Sequence, residues 1–350
     1  MRVVGLDIGG ANIKGCGLAL DEGGVPKDLL FKSIHFPIWQ RTRGELWDLV
    51  ADTVYELADA PNVPEVVSVV MTAELSDTFQ TKREGVTTIV EGLQRTLRDI
   101  PLVFPDVYLE LLGIDEVLKD PFRVAAANWP VLAWSVGRGI HECILIDVGS
   151  TTTDIIAIRN GYPITIGRND TNRLMSGELV YTGALRTNLA SILREVELDG
   201  VPCRLSSEYF ATSADVHLVL GNITESQYTT ETADGRGKSL EECRARLSRI
   251  VCGDIETVST KQITQIAKQA WNKQCEDITR AVFQVCALHD LKPAEQIFVF
   301  SGIGASFLGH KALTSMDIKE ERYLQDLLGP DGATAATAFA AALYAARNWR

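Results

Sequence analysis

Two stretches of this chain share one pattern: an apolar run, an aspartate, a glycine-bearing turn and a second apolar run. The first is Val4-Gly-Leu-Asp-Ile-Gly-Gly-Ala-Asn-Ile-Lys-Gly-Cys-Gly-Leu-Ala-Leu20, the second Cys143-Ile-Leu-Ile-Asp-Val-Gly-Ser-Thr-Thr-Thr-Asp-Ile-Ile-Ala-Ile-Arg-Asn160. At one constant offset Asp7 matches Asp147, Gly9 matches Gly149, Asn12 matches Thr152 and Leu18 matches Ile158. Each reads as a β-hairpin with an open tip. Glycine there lets backbone N–H groups converge on an anion, because no Cβ blocks the approach. Lys14 adds a positive charge, and an aspartate at a strand end suits a hydrated Mg²⁺ ion. Phosphate is the expected guest. A single such hairpin is a weak signal, as readily an ordinary Gly-rich turn; two in fixed register are a strong one.

At 350 residues the chain exceeds the size at which one core stops growing. Two α/β lobes are expected, 1–135 and 136–331, with a C-terminal helix over 332–350 packing back on the first. The formal charge of −12 offers a nucleic-acid backbone nothing general to bind, so any phosphate site must be a local device. Met1-Arg2 leads straight into a strand, so no signal peptide is expected. No uncharged apolar run of about 18 residues predicts a membrane span. Seven scattered cysteines without a Cys-x-x-Cys pair fit reduced core residues in the cytoplasm, and five isolated histidines argue against zinc.

Along the chain, Leu46, Leu49, Val50, Val54, Leu57 and Ala58 share a helical face over 44–59, which Pro61 and Pro64 should end. The β-branched run 66–71 reads as a buried strand. Glu74 and Asp77 follow its C-terminal end, the edge where open α/β sheets bind ligands; an N-cap at Ser76 or Asp77 is the plainer use. A helix is expected over 85–98, a strand over 107–111, and a small-residue helix after Ala125-Ala-Ala-Asn128, where Asn128 serves as a cap or a ligand contact. Residues 174–193 read as mainly helical, with Gly183 an interruption that either a close backbone approach to a ligand or the other lobe explains or the helix simply tolerates. The polar stretch 221–239 reads as a long loop, 239–251 and 257–288 as helices, and 297–300 as a strand ending in Ser301-Gly-Ile-Gly-Ala305. A last Ala-rich helix spans 333–346.

Two Asp-Gly hairpins followed by a late strand and Gly-x-Gly resemble the actin/Hsp70/sugar-kinase superfamily. The resemblance implies two ribonuclease-H-like α/β lobes around a central cleft, with Gly9, Gly10, Asn12, Lys14, Gly149, Ser150, Thr151, Thr152, Gly302 and Gly304 on phosphate or nucleotide. Asp7-Ile-Gly-Gly-Ala-Asn-Ile-Lys14 looks like the opening of repressor/sugar-kinase proteins, but the Cys-rich zinc loop usual there is missing. Asp147-Val-Gly-Ser-Thr-Thr-Thr-Asp154 instead resembles the hydantoinase/oxoprolinase branch. Met71-Thr-Ala-Glu-Leu-Ser-Asp77, Lys82-Arg-Glu-Gly-Val86, Arg173-Leu174, Gly177-Glu-Leu-Val-Tyr-Thr-Gly183 and Thr232-Ala-Asp-Gly-Arg236 are similar to a short branch linked to tetrahydromethanopterin and methanofuran one-carbon metabolism.

That branch implies a transferase joining aminomethylfuran-methyl diphosphate to γ-glutamyltyramine with loss of diphosphate. Asp7 and Asp147 would hold Mg²⁺, and Lys14 would stabilise the leaving anion. A phenol has a pKa of about 10, so a base is needed, with Glu74, Asp77, Asp154 and Glu178 as unranked candidates. Arg173, Arg186 and Arg236 are candidates for the glutamyl carboxylates. Two alternatives stay open: an ATP-dependent kinase or amidohydrolase, and a non-enzymic nucleotide switch. The partners expected are small molecules, not nucleic acid or membrane, and the oligomeric state, homodimer included, is open.

Overall fold

The computed structural model describes residues 2–59 and 62–349, and the chain divides into two compact units. The first takes the chain as far as Cys143, then Ile158–Asp170 and the segment from Leu324 onward; the second takes Ile144–Ala157 and Thr171–Tyr323.

The first unit opens with the hairpin of β1 (Arg2–Ile8) and β2 (Asn12–Leu20), extended by β3 (Pro26–His35). Helix α1 (Arg43–Leu57) starts at a capping box in which Thr42 and Glu45 satisfy each other's backbone N–H. It ends before Asp59, whose φ of 63° breaks the helical path; Pro61, expected to end it, lies outside the described residues. Strand β4 (Val66–Met71) is buried along its whole length, as a central strand between covered faces must be. The next helix, α2 (Lys82–Thr96), is capped by Thr81, whose side chain accepts from the Glu84 N–H. The expected cap at Ser76 or Asp77 is therefore wrong: residues 73–75 form a single 3₁₀ turn instead.

The strand expected over 107–111 is also displaced. Leu102–Pro105 forms β5, and Asp106 then turns the chain by accepting from the N–H groups of Tyr108 and Glu110, at 2.9 and 2.8 Å. Strand β6 (Leu111–Leu112), α3 (Ile114–Lys119) and α4 (Asn128–Gly139) follow. Asn128 is the first residue of α4 rather than its cap. The sheet runs β3-β2-β1-β4-β5-β6, with β4 parallel to β1.

In the second unit β7 (Cys143–Val148) and β8 (Thr153–Arg159) repeat the hairpin; β9 (Tyr162–Ile164) belongs to the first unit. The continuous helix expected over 174–193 does not form. Helix α5 (Asp170–Ser176) stops at Gly177, φ 77°, and β10 (Leu179–Val180) pairs with β8 before α6 (Leu189–Ile192). Sequence reading missed a hairpin, β11 (Glu195–Leu198) and β12 (Val201–Arg204), turned by Asp199 and Gly200 at positive φ, and it missed α7 (Ser213–Val219). Helices α8 (Leu240–Arg249) and α9 (Thr260–Leu288) precede β13 (Ile297–Ser301), α10 (His310–Leu313) and β14 (Glu320–Tyr323). The sheet order is β10-β8-β7-β13-β14. The long polar loop before α8 is tied down by Arg246, fully buried, which donates to Asp215 (2.8 Å), Asp234 (3.1 Å) and the Gly237 carbonyl (3.0 Å).

The chain then returns to the first unit through α11 (Leu324–Thr334), kinked at Gly329, and α12 (Ala336–Asn348). Alanines let α12 lie directly on β1. A Cβ on Gly5 would stand 2.1 Å from the Ala338 carbonyl oxygen and 2.6 Å from the Ala342 nitrogen. Gly5→Ala should therefore destabilise the protein by about 2 kcal/mol or more despite alanine's better backbone entropy. Gly139→Ala, where a Cβ meets nothing within 4 Å, should be nearly silent. Urea titration of both variants checks this.

Candidate functional site

The two hairpin tips are closed by the same bond: Gly9 N–H donates to the Asn12 carbonyl and Gly149 N–H to that of Thr152, each at 2.9 Å. Beyond it, the N–H groups of Gly10, Ser150, Thr151 and Thr152 make no backbone hydrogen bond among the described residues. In the second tip the cause is visible. The Gly149 carbonyl accepts from Ala184 N–H, and the Ser150 carbonyl from Leu185 and Arg186 N–H, all at 2.9 Å. A planar peptide points its C=O and N–H opposite ways, so drawing these two carbonyls inward turns the Ser150 and Thr151 N–H groups outward. Outward-facing consecutive N–H groups are an anion cradle.

Gly183 makes this contact feasible. A Cβ there would lie 2.6 Å from the Thr151 carbonyl carbon, so the approach is to the hairpin turn of its own unit and not a helix interruption. The loop after β13 has a similar cause. Gly302, φ 84°, would put a Cβ 2.3 Å from the Val148 carbonyl oxygen, and Gly304 N–H donates to that oxygen at 3.0 Å. Both glycines thus lie against the end of β7, next to Asp147, which is level with Ser301 in the sheet.

In the first unit Asp7 sits opposite Lys14 across the hairpin. Asp7 is 5% exposed; one carboxylate oxygen accepts from the Thr337 hydroxyl of α12, and the other is buried with no hydrogen-bond partner among the described residues. Asn12 Oδ1 lies 3.3 Å from His35 Nδ1. The segment after β4 lies against this tip, with Thr72 N–H donating to the Ile8 carbonyl at 3.0 Å.

Four acidic side chains expected as base candidates fall into different surroundings. Asp77 is exposed. Asp154 accepts from Arg173 at 2.8 Å, and Arg173, itself 2% exposed, also donates to the Glu178 carbonyl at 3.0 Å. Glu178 is buried and accepts from the Ser176 hydroxyl at 2.9 Å, with His289 at 3.7 Å. Glu74 differs from all three: it is 1% exposed, and among the described residues neither carboxylate oxygen has a hydrogen-bond partner of good geometry, the Glu74 and Ala126 N–H groups acting on it only as nearby dipoles. Burial raises its pKa to about 7, against the pull of its own N–H, the Lys82 charge and the Ala126 N–H, and with a further push from Asp170. Lys82 and Asp170 form an ion pair. Ala126 holds the uncommon φ of 51°, and Gly85 leaves room for Glu74, since a Cβ there would stand 2.6 Å from the Glu74 Cα.

Of the arginines, Arg186 anchors the second tip through its backbone, and Arg236 is 66% exposed beside Asp234. No group of three or more His, Cys, Asp or Glu among the described residues could cage a metal. The unpartnered Asp7 oxygen fits Mg²⁺ of another kind, held by one or two carboxylates and completed by phosphate and water. Sequence reading singled out Gly183 and Arg186 but missed Thr337 and the backbone role of residues 184–186, because these roles arise only where distant chain meets the tips.

In architecture the chain is similar to the nucleotide-free structure of acetone carboxylase (TM-score 0.55, 10% identity, covering 98% of this chain and 70% of that one). The fold is the two-lobed α/β type of the actin/Hsp70/sugar-kinase superfamily. The chain belongs to the hydantoinase/oxoprolinase family, which it matches over residues 65–348. Its relatives include the (4-{4-[2-(gamma-L-glutamylamino)ethyl]phenoxymethyl}furan-2-yl)methanamine synthase of Methanocaldococcus jannaschii, 36% identical over 98% of this chain and 97% of that protein. A synthase of the same name from Methanococcus vannielii is 35% identical over 48% of this chain and 73% of its own length. No helix among the described residues is long and apolar enough to cross a membrane.

The Glu74 carboxyl provides a test of this geometry by stability. Its folded pKa of about 7 stands above the ordinary 4.5, so between these values the folded state binds more protons than the unfolded one. Stability contributed by the neutral form is therefore complete below about pH 4.5 and lost as pH rises to about 7. Glu74→Gln does not titrate, so its stability relative to the parent should improve by about 3 kcal/mol from pH 4.5 to pH 8. Denaturant titrations of both proteins across this range read the difference; a constant difference would mean that Glu74 is solvated or paired.

Proposed function

We propose that this chain is a transferase forming the furan–phenyl ether of the methanofuran precursor. Its substrates in this reading are aminomethylfuran-methyl diphosphate and γ-glutamyltyramine, and diphosphate is released. The observation that carries the proposal is the identity of 36% over nearly the full length of a synthase named for this ether. The glycine-tipped hairpins would supply what such a reaction needs, because turns suited to nucleotide phosphates can equally hold a diphosphate leaving group.

In the reaction the CH₂–O bond to diphosphate breaks and its electron pair leaves with the diphosphate. A phenol oxygen lone pair forms the new C–O bond, and the phenol proton passes to a base. Negative charge therefore grows on the leaving group. In this reading the Gly10, Ser150 and Thr151 N–H groups, the Ser150, Thr151 and Thr152 hydroxyls and the Lys14 ammonium would bind it as it grows. Asp7 and Asp147 would hold Mg²⁺, which when bound neutralises charge on the diphosphate. Thr337 keeps Asp7 oriented by binding one of its oxygens. Glu74 is our choice of base: it is the candidate whose carboxyl has neither hydrogen-bond partner nor solvent, and its pKa lies near the working range. In the structure it is covered, so the 72–81 segment would shift for it to meet the phenol.

Incubation of the purified protein with Mg²⁺ and the two substrates, without nucleotide, should give the ether by mass spectrometry. Ether formed only when ATP is added would overturn the synthase reading in favour of an ATP-dependent reaction. Asp147→Asn keeps the size and removes the charge, so turnover should drop about 100-fold, equivalent to about 2.7 kcal/mol, with partial recovery at raised Mg²⁺. Near-normal turnover in the folded variant would confine Asp147 to capping its turn. Glu74→Gln should lower turnover by about two orders of magnitude or more. An undiminished rate would return the base role to Asp77, Asp154 or Glu178.

A further inference from the structure

We infer that Gln274 of α9 is a positioning residue that holds the 149–152 turn in its anion-binding shape through a continuous, largely buried chain of hydrogen bonds. This rests on reading that turn as half of the diphosphate clasp.

Gln274 is fully buried in the second unit. Its amide nitrogen has two hydrogens, and both are used: it donates to the Thr182 hydroxyl and to the Gly183 carbonyl, each at 2.9 Å. Turning the amide over would set its oxygen against the Gly183 carbonyl, two acceptors face to face, so the orientation is fixed. Gln274 Oε1 must then accept, and its partner is His217 Nε2 at 3.1 Å. The hydrogen of the imidazole is therefore on Nε2, which leaves Nδ1 to accept from Asn222 Nδ2 at 3.2 Å. Burial lowers the His217 pKa to about 3, so the ring stays neutral in this one tautomer. Each member of the chain from Asn222 to Gln274 has a determined role.

The far end of the chain is the turn. Thr182 and Gly183, the two groups Gln274 binds, begin the segment whose next three N–H groups draw in the Gly149 and Ser150 carbonyls. The Thr182 carbonyl also accepts from the Thr153 hydroxyl at 2.8 Å, and Gly183 N–H donates to the Thr187 hydroxyl at 2.9 Å. Because those carbonyls set the direction of the Ser150 and Thr151 N–H groups, Gln274 acts on the bound anion from two steps away. A glutamine in the middle of an otherwise apolar helix face, with Ala270, Ile278 and Ala281, has no packing role that leucine would not perform better.

Gln274→Leu keeps roughly the volume and removes both donors. Inorganic diphosphate with Mg²⁺, used as a competitor of ether formation, should bind about tenfold more weakly to it, since a small misplacement of a binding group has effects of this order. The KM for γ-glutamyltyramine should be unchanged, and hydrogen exchange at Ala184, Leu185 and Arg186 should quicken. If the leucine variant does not fold, Gln274→Glu serves. Its carboxylate still accepts from His217 but donates only when protonated, so diphosphate binding per folded molecule should weaken, relative to the parent, as pH rises from about 6 to about 9. Unchanged diphosphate binding, or loss of both substrates in parallel with melting temperature, would overturn the inference. Should the parent protein make no ether, direct calorimetric binding of Mg²⁺-diphosphate and the exchange measurement still decide on Gln274, while the missing ether counts against the synthase reading alone.

Discussion

The seating of α12 on β1 is the contact on which the first unit depends. It joins residues at opposite ends of the chain, and it does so at backbone distance, because Gly5 presents no side chain and Ala338 and Ala342 present only methyls. The same contact carries chemistry. Thr337 lies next to Ala338, and its hydroxyl binds one oxygen of Asp7, leaving the other oxygen buried and unpartnered. A carboxylate held this way has one fixed orientation and one unsatisfied acceptor, a high-energy arrangement that a cation would relieve. Core packing and the candidate metal ligand are thus set by two successive residues of one helix.

The second hairpin reaches the same shape by other means. Its aspartate follows the same strand pattern and its glycine closes the same bond, but its support among the described residues comes from other elements. These are the 182–187 segment, which draws two carbonyls inward, and Gly302 and Gly304, which bring the loop after β13 onto Val148. The two tips also differ in charge. One has Lys14 opposite its aspartate, while the other has a serine and two threonines, donors without formal charge.

This division explains what the sequence discloses and what it withholds. The hairpins are legible because strand, turn and strand are contiguous, and a period of two with glycine at the tip is a local signal. Strand β4 and the long helix α9 are legible for the same reason. Residues 174–193 mislead because leucines at helical spacing look like one face, whereas Gly177 and Gly183 are there for a positive φ and a close approach that only the tertiary structure defines. Asp199-Gly200 between two short β-prone runs was a readable hairpin signal, hidden by the polar glutamates beside it. At the site, the aspartates and turn residues were visible. Thr337 and Gln274 were not, since a threonine in an alanine-rich helix and a glutamine in an amphipathic one carry no mark of what they touch. Nor could the sequence separate Glu74 from Asp154: one is left without a partner and the other is met by a buried arginine, and that difference is purely spatial.

The proposed chemistry follows from how charge is shared between these groups. A phenol with a pKa of about 10 facing a carboxylate of about 7 would need roughly 4 kcal/mol to transfer its proton fully before bond formation. An early, complete deprotonation is therefore unfavourable, and the proton is better transferred as the phenol oxygen commits its lone pair to the furanylmethyl carbon. That in turn requires the carbon to be electron-poor already, which depends on loosening the bond to diphosphate. In the proposed reaction the hairpin N–H groups and Lys14 would act at that end, with dipoles fixed before the charge develops and in need of no reorganisation. A solvated carboxylate with an ordinary pKa would be a weaker base still, by a further 2 to 3 units or about 3 to 4 kcal/mol. Burying Glu74 without a partner costs folding stability near neutral pH. The same burial is what brings its proton affinity within reach of a phenol whose acidity rises as the new bond forms.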